Sequence, residues 1–355
     1  MSKAIIAMSG GVDSSVAALL TIKEGFDCIG ATMKLYDSTD VFNEKSCCAV
    51  DDAEDARSVA TKLGMPFYVF NFKKEFEECV IKDFINSYES GATPNPCIKC
   101  NKHLKFDKLI DKMHELGANF IVTGHYAKIE FDESCGRYLL KKAEDISKDQ
   151  SYVLYNLSQE QLAHIRFPLG NLQKSQTRQI ALDNGFINAK KHESQDICFI
   201  PDGDYSSFIE NYTKKTYTKG SFVDNEGNVL GEHKGIIRYT VGQRKGLGLA
   251  LPRPMYVCKK DVLKNEVVLC YKEDLITKEV YAENVNWISV ESISEPMRVK
   301  ARLRYNQKEQ PAVVFPEENG RIRVVFDEPL NLPAAKGQAL VMYDEDTVVG
   351  GGTII

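Results

Sequence analysis

The chain has 355 residues, of which 43% are hydrophobic and 27% charged, and its formal net charge at pH 7 is −5. That much apolar material supports two or three domains and excludes disorder, collagen-like repeats and disulfide miniproteins; no apolar run approaches the roughly 18 residues of a membrane helix. Mild acidity argues against a nucleic-acid partner unless Lys and Arg are clustered locally, because phosphates attract concentrated positive charge.

In chain order, residues 4–8 are too short for a secretory h-region and run straight into Gly10, Gly11 and Asp13, so the chain is expected in a reducing cytoplasm. There its ten cysteines are not expected to form a disulfide framework; those that matter should be catalytic, redox-active or metal-bound. Up to about residue 125, short β-rich runs alternate with longer helical ones. The pattern predicts an α/β fold with an N-terminal doubly wound parallel sheet. Strands are predicted at 4–8, 28–33, 66–70 and 120–123, and helices from near Asp13, near Asp51, near Lys73 and over 102–116, with Gly64 and Gly117 as C-terminal stops. Ligands of such sheets bind outside the carboxyl ends of the strands, which directs attention to the loops after Met8, Met33 and Thr123. After about residue 205 the texture becomes short alternating runs with hairpin signals, Asn225-Glu226-Gly227-Asn228 and Asn319-Gly320. The expected division is a catalytic α/β domain over 1–204, a small β-rich middle domain over 205–274, and an all-β barrel or sandwich over 275–355.

The first predicted strand leads into Ser9-Gly10-Gly11-Val12-Asp13-Ser14-Ser15 and then a helix. Adjacent glycines let backbone approach phosphate oxygens, the helix N-terminus supplies N–H donors and a positive dipole end, and three serines add hydroxyls. The loop has no Lys and its glycine spacing fits neither a Walker A loop nor a dinucleotide fingerprint, which weakens kinase, GTPase and dehydrogenase readings. Asp13 beside a polyphosphate requires a cation, and Mg²⁺ is the expected one. The plain alternative is a Gly-Gly turn capped by Ser or Asp.

Two cysteine segments follow. Thr93-Pro94-Asn95-Pro96-Cys97-Ile98-Lys99-Cys100-Asn101-Lys102 reads as a proline-stiffened loop presenting two thiols just before a helix, where the helix N-terminus, Lys99 and Lys102 would favour thiolate. A zinc half-site is the alternative, but no second CxxC or HxxxH supplies the remaining ligands. In Ser194-Gln195-Asp196-Ile197-Cys198-Phe199-Ile200-Pro201 the cysteine stands in an apolar run, where buried packing is the alternative to chemistry.

The glycine loop resembles the pyrophosphate-binding loop of the ATP pyrophosphatase superfamily, whose members split ATP to AMP and pyrophosphate to adenylate a substrate. Both cysteine segments, Gly124-His125-Tyr126, Lys148-Asp149-Gln150-Ser151-Tyr152, Tyr239-Thr240-Val241-Gly242-Gln243-Arg244-Lys245-Gly246-Leu247-Gly248 and Gly350-Gly351-Gly352 occur in order along most of the chain. Together they resemble the bacterial tRNA-specific 2-thiouridylase family. The resemblance implies an adenine nucleotide α-hydrolase-like first domain, a C-terminal β-barrel, and 2-thiolation of the wobble uridine of glutamate, glutamine and lysine tRNAs. It also implies ATP with Mg²⁺ and a persulfide sulfur-donor protein, while the lack of a long apolar run gives the expectation of no membrane partner. By the same resemblance Cys198 carries the persulfide, while Cys100 is the nucleophile and can end disulfide-bonded to Cys198. Ala7, Met8, Ser9, Gly10, Gly11, Val12, Asp13, Ser14, Met33 and Gly124 match ATP contacts. Asn95, Pro96 and Cys97 match the loop that meets the target base, which must leave its stack to be reached. His125, Lys148, Asp149, Gln150, Arg304, Tyr305 and Gln338 match tRNA contacts; for His125 a capped loop histidine is the alternative. One position departs from the family, since many members have Asp where this chain has Cys97. The change leaves a proton-handling role unassigned and makes Cys97, Cys100 and Cys198 candidate ligands of an iron–sulfur cluster.

In Arg298-Val299-Lys300-Ala301-Arg302-Leu303-Arg304-Tyr305 every even position is basic. A strand of period two would project all four charges from one face and turn Val299, Ala301, Leu303 and Tyr305 to the core. With no acid between 298 and 308, the stripe is a candidate phosphate track, with a solvated strand face as the alternative. Basic residues of 238–245 form a second candidate patch, and neutralising Arg302 and Arg304 is expected to weaken tRNA binding and flatten its salt dependence. The functional alternatives are an ATP pyrophosphatase that ligates or amidates a small molecule, and a non-enzymatic RNA-binding or iron–sulfur protein.

Overall fold

The computed structural model describes residues 2–36, 50–191 and 197–355. Its first sheet has five parallel strands: β1 (Lys3–Ala7), β2 (Asp27–Lys34), β3 (Phe67–Asn71), β4 (Phe120–Val122) and the short Ile165–Arg166, in the order β3-β2-β1-β4 and then Ile165–Arg166. Alternation along β1 sends Ala4 and Ile6 to one face and Ile5 to the other. The first face is covered by α1 (Val12–Lys23) and α2 (Val50–Lys62) through Val16, Ala17, Ala56 and Val59, and the second packs on Phe76, Phe84 and Phe199. This is the doubly wound sheet expected from the alternating runs, with its strand order reversing between β1 and β4.

The helix expected from residue 102 starts earlier. Pro96 occupies its first turn, where a missing N–H costs nothing, and the Asn95 side chain caps it by accepting from the Cys97 N–H at 3.2 Å. Cys97 and Cys100 therefore lie within the helix Pro96–Cys100 rather than on a loop before it, and the helix continues through wider π turns over Asn101–Lys108.

The middle region folds as a four-stranded sheet of Gly220–Val223, Val229–His233, Tyr256–Asp261 and Glu266–Cys270, and its Phe222, Val257 and Leu269 join the same core as Ile5 and Phe84. Both hairpin signals form as expected: Asp224 accepts from the N–H groups of Glu226 and Asn228, and Asn319 and Gly320 adopt φ of +59° and +70°. A disulfide joins Cys258 to Cys270 across neighbouring strands, a pair to which the sequence assigned no role and not the Cys100–Cys198 pair that the resemblance implies. The sheet brings together two residues that sequence spacing did not connect.

The C-terminal region is a closed barrel, not an open sandwich, because Thr277–Trp287 pairs with both Ile322–Leu330 and Thr347–Ile354. Ala301, Val314, Val324, Leu340 and Met342 fill its interior. Ala339, Val341 and Tyr343 alternate outward on the strand Ala339–Asp344 and pack on Tyr152, Leu154 and Phe106 of the first domain. A hairpin of that domain, Lys128–Asp132 with Arg137–Lys141, extends the barrel sheet through Lys141 and Thr347. No described helix is long and apolar enough to cross a membrane.

Candidate functional site

The glycine loop leaves the carboxyl end of β1 at the point where the strand order reverses. Gly11 is the N-cap of α1, and no side chain caps that end, so its leading N–H groups remain directed at the crevice. Ser9 and Ser14 hydroxyls lie 3.5 Å apart beside them. The loop is fixed from behind: a Cβ at Gly10, whose φ is +73°, would sit 2.3 Å from the Asp52 carbonyl oxygen, and buried Asn188 donates to Gly10 O and Ser15 Oγ at 2.9 Å each. After β4, the backbone at Gly124 lies so close to α1 that a Cβ there would be 2.7 Å from the Asp13 carbonyl carbon and the Ser14 nitrogen. Ala7, Met8, Ser9, Gly10, Gly11, Val12, Asp13, Ser14, Met33 and Gly124 thus gather at the carboxyl edges of β1, β2 and β4. Asp13 was expected to need a metal cation. The structure gives it Lys174, whose Nζ lies 2.7 Å from both carboxylate oxygens, and the Tyr126 hydroxyl, which donates at 3.0 Å.

Cys100 is buried and Cys198 partly buried, and both belong to one hydrophobic cluster with Tyr36, Phe84, Tyr88 and Phe199. Tyr36 donates to the Cys198 carbonyl at 3.0 Å. Residues 194–196 of the second cysteine segment lie outside the described residues. Cys97 is exposed on the same helix as Cys100, and Lys99 faces Asp83 at 3.6 Å. Among the described residues no three His, Cys, Asp or Glu side chains are gathered closely enough to hold a metal. The arrangement of Cys97, Cys100 and Cys198 therefore does not fit the iron–sulfur ligand set raised from sequence, since the first faces solvent while the other two are packed inward.

The basic strand is corrected in three respects. Val299, Ala301 and Leu303 are buried as expected, but the strand ends at Arg302, so Tyr305 lies beyond it and is 39% exposed instead of facing the core. The charges are not an open stripe: Arg298 holds Asp327 through two bonds of 2.8 and 2.7 Å, and Lys300 meets Glu345 at 3.1 Å. Arg302 is largely covered at the contact between the first domain and the barrel, its side chain 11% exposed. It bonds the Tyr343 hydroxyl at 2.7 Å and Asp149 at 3.3 Å, with its guanidinium over the rings of Tyr152 and Tyr343. Acids from the strand Ile322–Leu330, from the turn after Ala339–Asp344 and from another domain, invisible to a scan of 298–308, supply the partners.

Beyond the strand, Arg304 donates to Val241 O at 3.1 Å, beside a cavity of about 560 Å³ also lined by Ser206, Arg238, Thr240 and Gln243. Tyr305 donates to Asp149 O at 2.9 Å, and Gln338 donates to Thr93 O at 2.7 Å. Barrel residues thereby meet the 148–150 segment and the approach to Asn95, Pro96 and Cys97. Lys148 and Gln150 are partly exposed, while Asp149 is buried and accepts from Ala143 N, Ser151 N and Ser151 Oγ. His125 is buried between Phe106 and Phe167 and bonded to Thr123 at 2.7 Å; burial, followed by nearby Lys105, holds its pKa well below the ordinary histidine value. In this arrangement its ring is neutral packing and not an exposed contact. Arg238 is tied to Glu210 at 2.7 Å, whereas Arg244 and Lys245 are exposed. Lys174, Asn188 and Asp52 were not singled out from sequence. They lie far from the loop along the chain, and Tyr126, although part of a quoted motif, carried no signal of its link to Asp13.

Three family models match successive parts of the chain: a tRNA methyl transferase HUP domain over residues 2–202, a tRNA methyl transferase PRC-barrel domain over 206–271, and an aminomethyltransferase β-barrel domain over 277–354. The chain is 51% identical over 353 residues to the tRNA-specific 2-thiouridylase MnmA of Clostridioides difficile (strain 630), covering 99% of this chain and 98% of that protein. It is also 51% identical over 355 residues to the protein of that name from Acetivibrio thermocellus, covering 99% of each. The tRNA-specific 2-thiouridylase MnmA 1 of Thermoanaerobacter sp. (strain X514) is 49% identical over 356 residues, with 99% and 98% covered. Similarity of this extent spans the glycine loop, both cysteine segments and the barrel together, and the chain belongs to the tRNA-specific 2-thiouridylase family.

Proposed function

We propose that this chain is an ATP-dependent tRNA sulfurtransferase that converts the wobble uridine of glutamate, glutamine and lysine tRNAs to 2-thiouridine. The observation that carries this reading is the presence, in one chain, of an uncapped helix N-terminus with a serine-lined glycine loop and of two cysteines from distant segments in one cluster. A small-molecule ligase would use the first and leave the second without work.

In the proposed reaction the uracil O2 attacks the α-phosphorus of ATP, supplied as its Mg²⁺ complex, and pyrophosphate leaves with the electron pair of the broken P–O bond. Adenylation turns a poor leaving oxygen into AMP. The terminal sulfur of a Cys198 persulfide, charged by a donor protein, then attacks C2 and AMP departs. The Cys100 thiolate attacks the Cys198 Sγ, which leaves sulfur on C2 and joins Cys100 to Cys198; a thiol reductant must reopen that disulfide before the next turnover. No step passes through an iron–sulfur cluster. Residues 1–204 would carry this chemistry. The bond from Gln338 to Thr93 and that from Tyr305 to Asp149 support RNA contact where 275–355 meets the first domain, at Lys148, Gln150, Arg304, Tyr305 and Gln338, with 205–274 completing the rim.

The test supplies ATP, Mg²⁺, a persulfide source and unmodified glutamate-acceptor tRNA and analyses position 34 for 2-thiouridine. Thiolation by the wild type that is lost in Cys100→Ala and in Cys198→Ala is expected. Release of AMP and pyrophosphate with no dependence on tRNA would instead favour the small-molecule ligase.

A further inference from the structure

The glycine loop contains no cation of its own, and its one charged side chain, Asp13, has the same sign as a polyphosphate. Lys174 resolves this from a distance of 161 positions along the chain. It opens the ten-residue helix Lys174–Asp183, whose first turn is anchored where the Lys174 N–H donates to Asp145 at 3.0 Å and Gln173 and Gln176 cap one another. Although Lys174 is 9% exposed, its ammonium lies 2.7 Å from both oxygens of Asp13, a carboxylate that is about a third exposed at the uncapped end of α1. The Tyr126 ring lies 5.6 Å from the ammonium, and the Tyr126 hydroxyl, itself 2.9 Å from Thr177 Oγ1, bonds Asp13 Oδ1, one of the two oxygens that Lys174 holds. A nearly buried lysine held in one geometry at the mouth of an anion cradle is pre-organised, so its charge needs little reorientation when anionic charge develops beside it.

We propose that Lys174 is a catalytic residue of the ATP-cleaving step, whose ammonium contacts the pyrophosphate leaving group and neutralises the charge it gains as the bond to the α-phosphorus breaks. This rests on the ATP-dependent reading above. The P–O bond between the α- and β-phosphorus breaks, its electron pair goes to the pyrophosphate oxygen, and the new bond forms between the α-phosphorus and the substrate oxygen. Lys174 transfers no proton. Before ATP arrives its charge balances Asp13; a cation brought in with ATP would offset part of the Asp13 charge and leave the Lys174 ammonium able to meet the terminal phosphates.

The experiment measures direct binding of magnesium pyrophosphate and of AMP by calorimetry to wild type, Lys174→Met and Lys174→Arg, with thermal unfolding of each. The expected result is at least a tenfold loss of pyrophosphate affinity in Lys174→Met, AMP affinity within twofold of wild type, and partial recovery of pyrophosphate binding in Lys174→Arg. Lys174→Gln replaces the Met variant if the latter does not fold. Equal losses for pyrophosphate and AMP, no loss for either, or no pyrophosphate binding by the wild type would overturn the proposal. A parallel wild-type reaction with tRNA separates the two claims: absence of 2-thiouridine there sinks the thiolation reading, while the binding constants still decide the role of Lys174.

Discussion

Gly10 meets two demands at once, a φ of +73° and an approach in which any Cβ would collide with the Asp52 carbonyl. Gly64 has nearly the same φ, +70°, but open space around it. Gly64→Ala should therefore cost about 1 kcal/mol, the usual penalty for a side chain in the left-handed region, whereas Gly10→Ala should cost about 3 kcal/mol and weaken ATP binding. Urea unfolding of the two variants checks this, and equal costs would show that the close approach does not matter. Lys260 is a second case in which surroundings override residue type. Its Nζ lies 3.5 Å from Ala92 O and 5.5 Å from the centre of the Tyr88 ring, and burial pushes its pKa down to about 8. Because the folded pKa lies below that of the unfolded chain, the unfolded form binds more protons between about pH 8 and 10.5. Stability contributed by this residue thus rises with pH through that window, and the full cost of burying the charge applies below it. Lys260→Met should remove a rise on the order of 3 kcal/mol from the pH profile. A profile unchanged from wild type between pH 8 and 10.5 would refute the assignment.

The strand Met297–Arg302 and the helix beginning at Pro96 show what element-level patterns conveyed. Alternation correctly placed Val299, Ala301 and Leu303 inside the barrel, because a pleated strand allows its side chains only two directions. It also put the charges on the opposite face, where Arg298 and Lys300 stay exposed but paired with Asp327 and Glu345, while Arg302 alone turns into the domain contact with Asp149. Arg302→Met should accordingly destabilise the protein by about 3 kcal/mol, since buried Asp149 loses its cation partner. The salt dependence of tRNA binding should stay unchanged, in contrast to the effect expected from the sequence stripe. A reduced salt slope in a folded Arg302→Met variant would restore the stripe. In the helix, the Asn95 cap and Pro96 were both legible as start signals, yet reading the two prolines as loop stiffeners moved the start by six residues. The structure resolves the ambiguity because a proline in the first turn forfeits no hydrogen bond.

Across the whole molecule, the barrel holds the segment that leads to the cysteines. Thr93 donates its N–H to Lys336 O at 2.8 Å and accepts from Gln338 at 2.7 Å, so residues 92–95 are fixed by a part of the chain more than 240 positions away. Gln338→Ala removes one of these bonds, worth about 1 kcal/mol, and should speed amide exchange around Thr93 several-fold while leaving ATP affinity intact. Unaltered exchange there would mean that the barrel does not support the segment. The sequence by itself determined the parallel sheet, the position of the glycine loop at its carboxyl edge, the hairpins and the inward face of the barrel strands, because each follows from local periodicity, turn chemistry or a short motif. Only the tertiary structure decided that Lys174 balances Asp13, that Arg302 lies inside a domain contact and that Cys258 meets Cys270. Those pairings join residues from 12 to 161 positions apart. A charge or a thiol carries no local signal of its partner; burial and distance set its energy, and both exist only once the chain has folded.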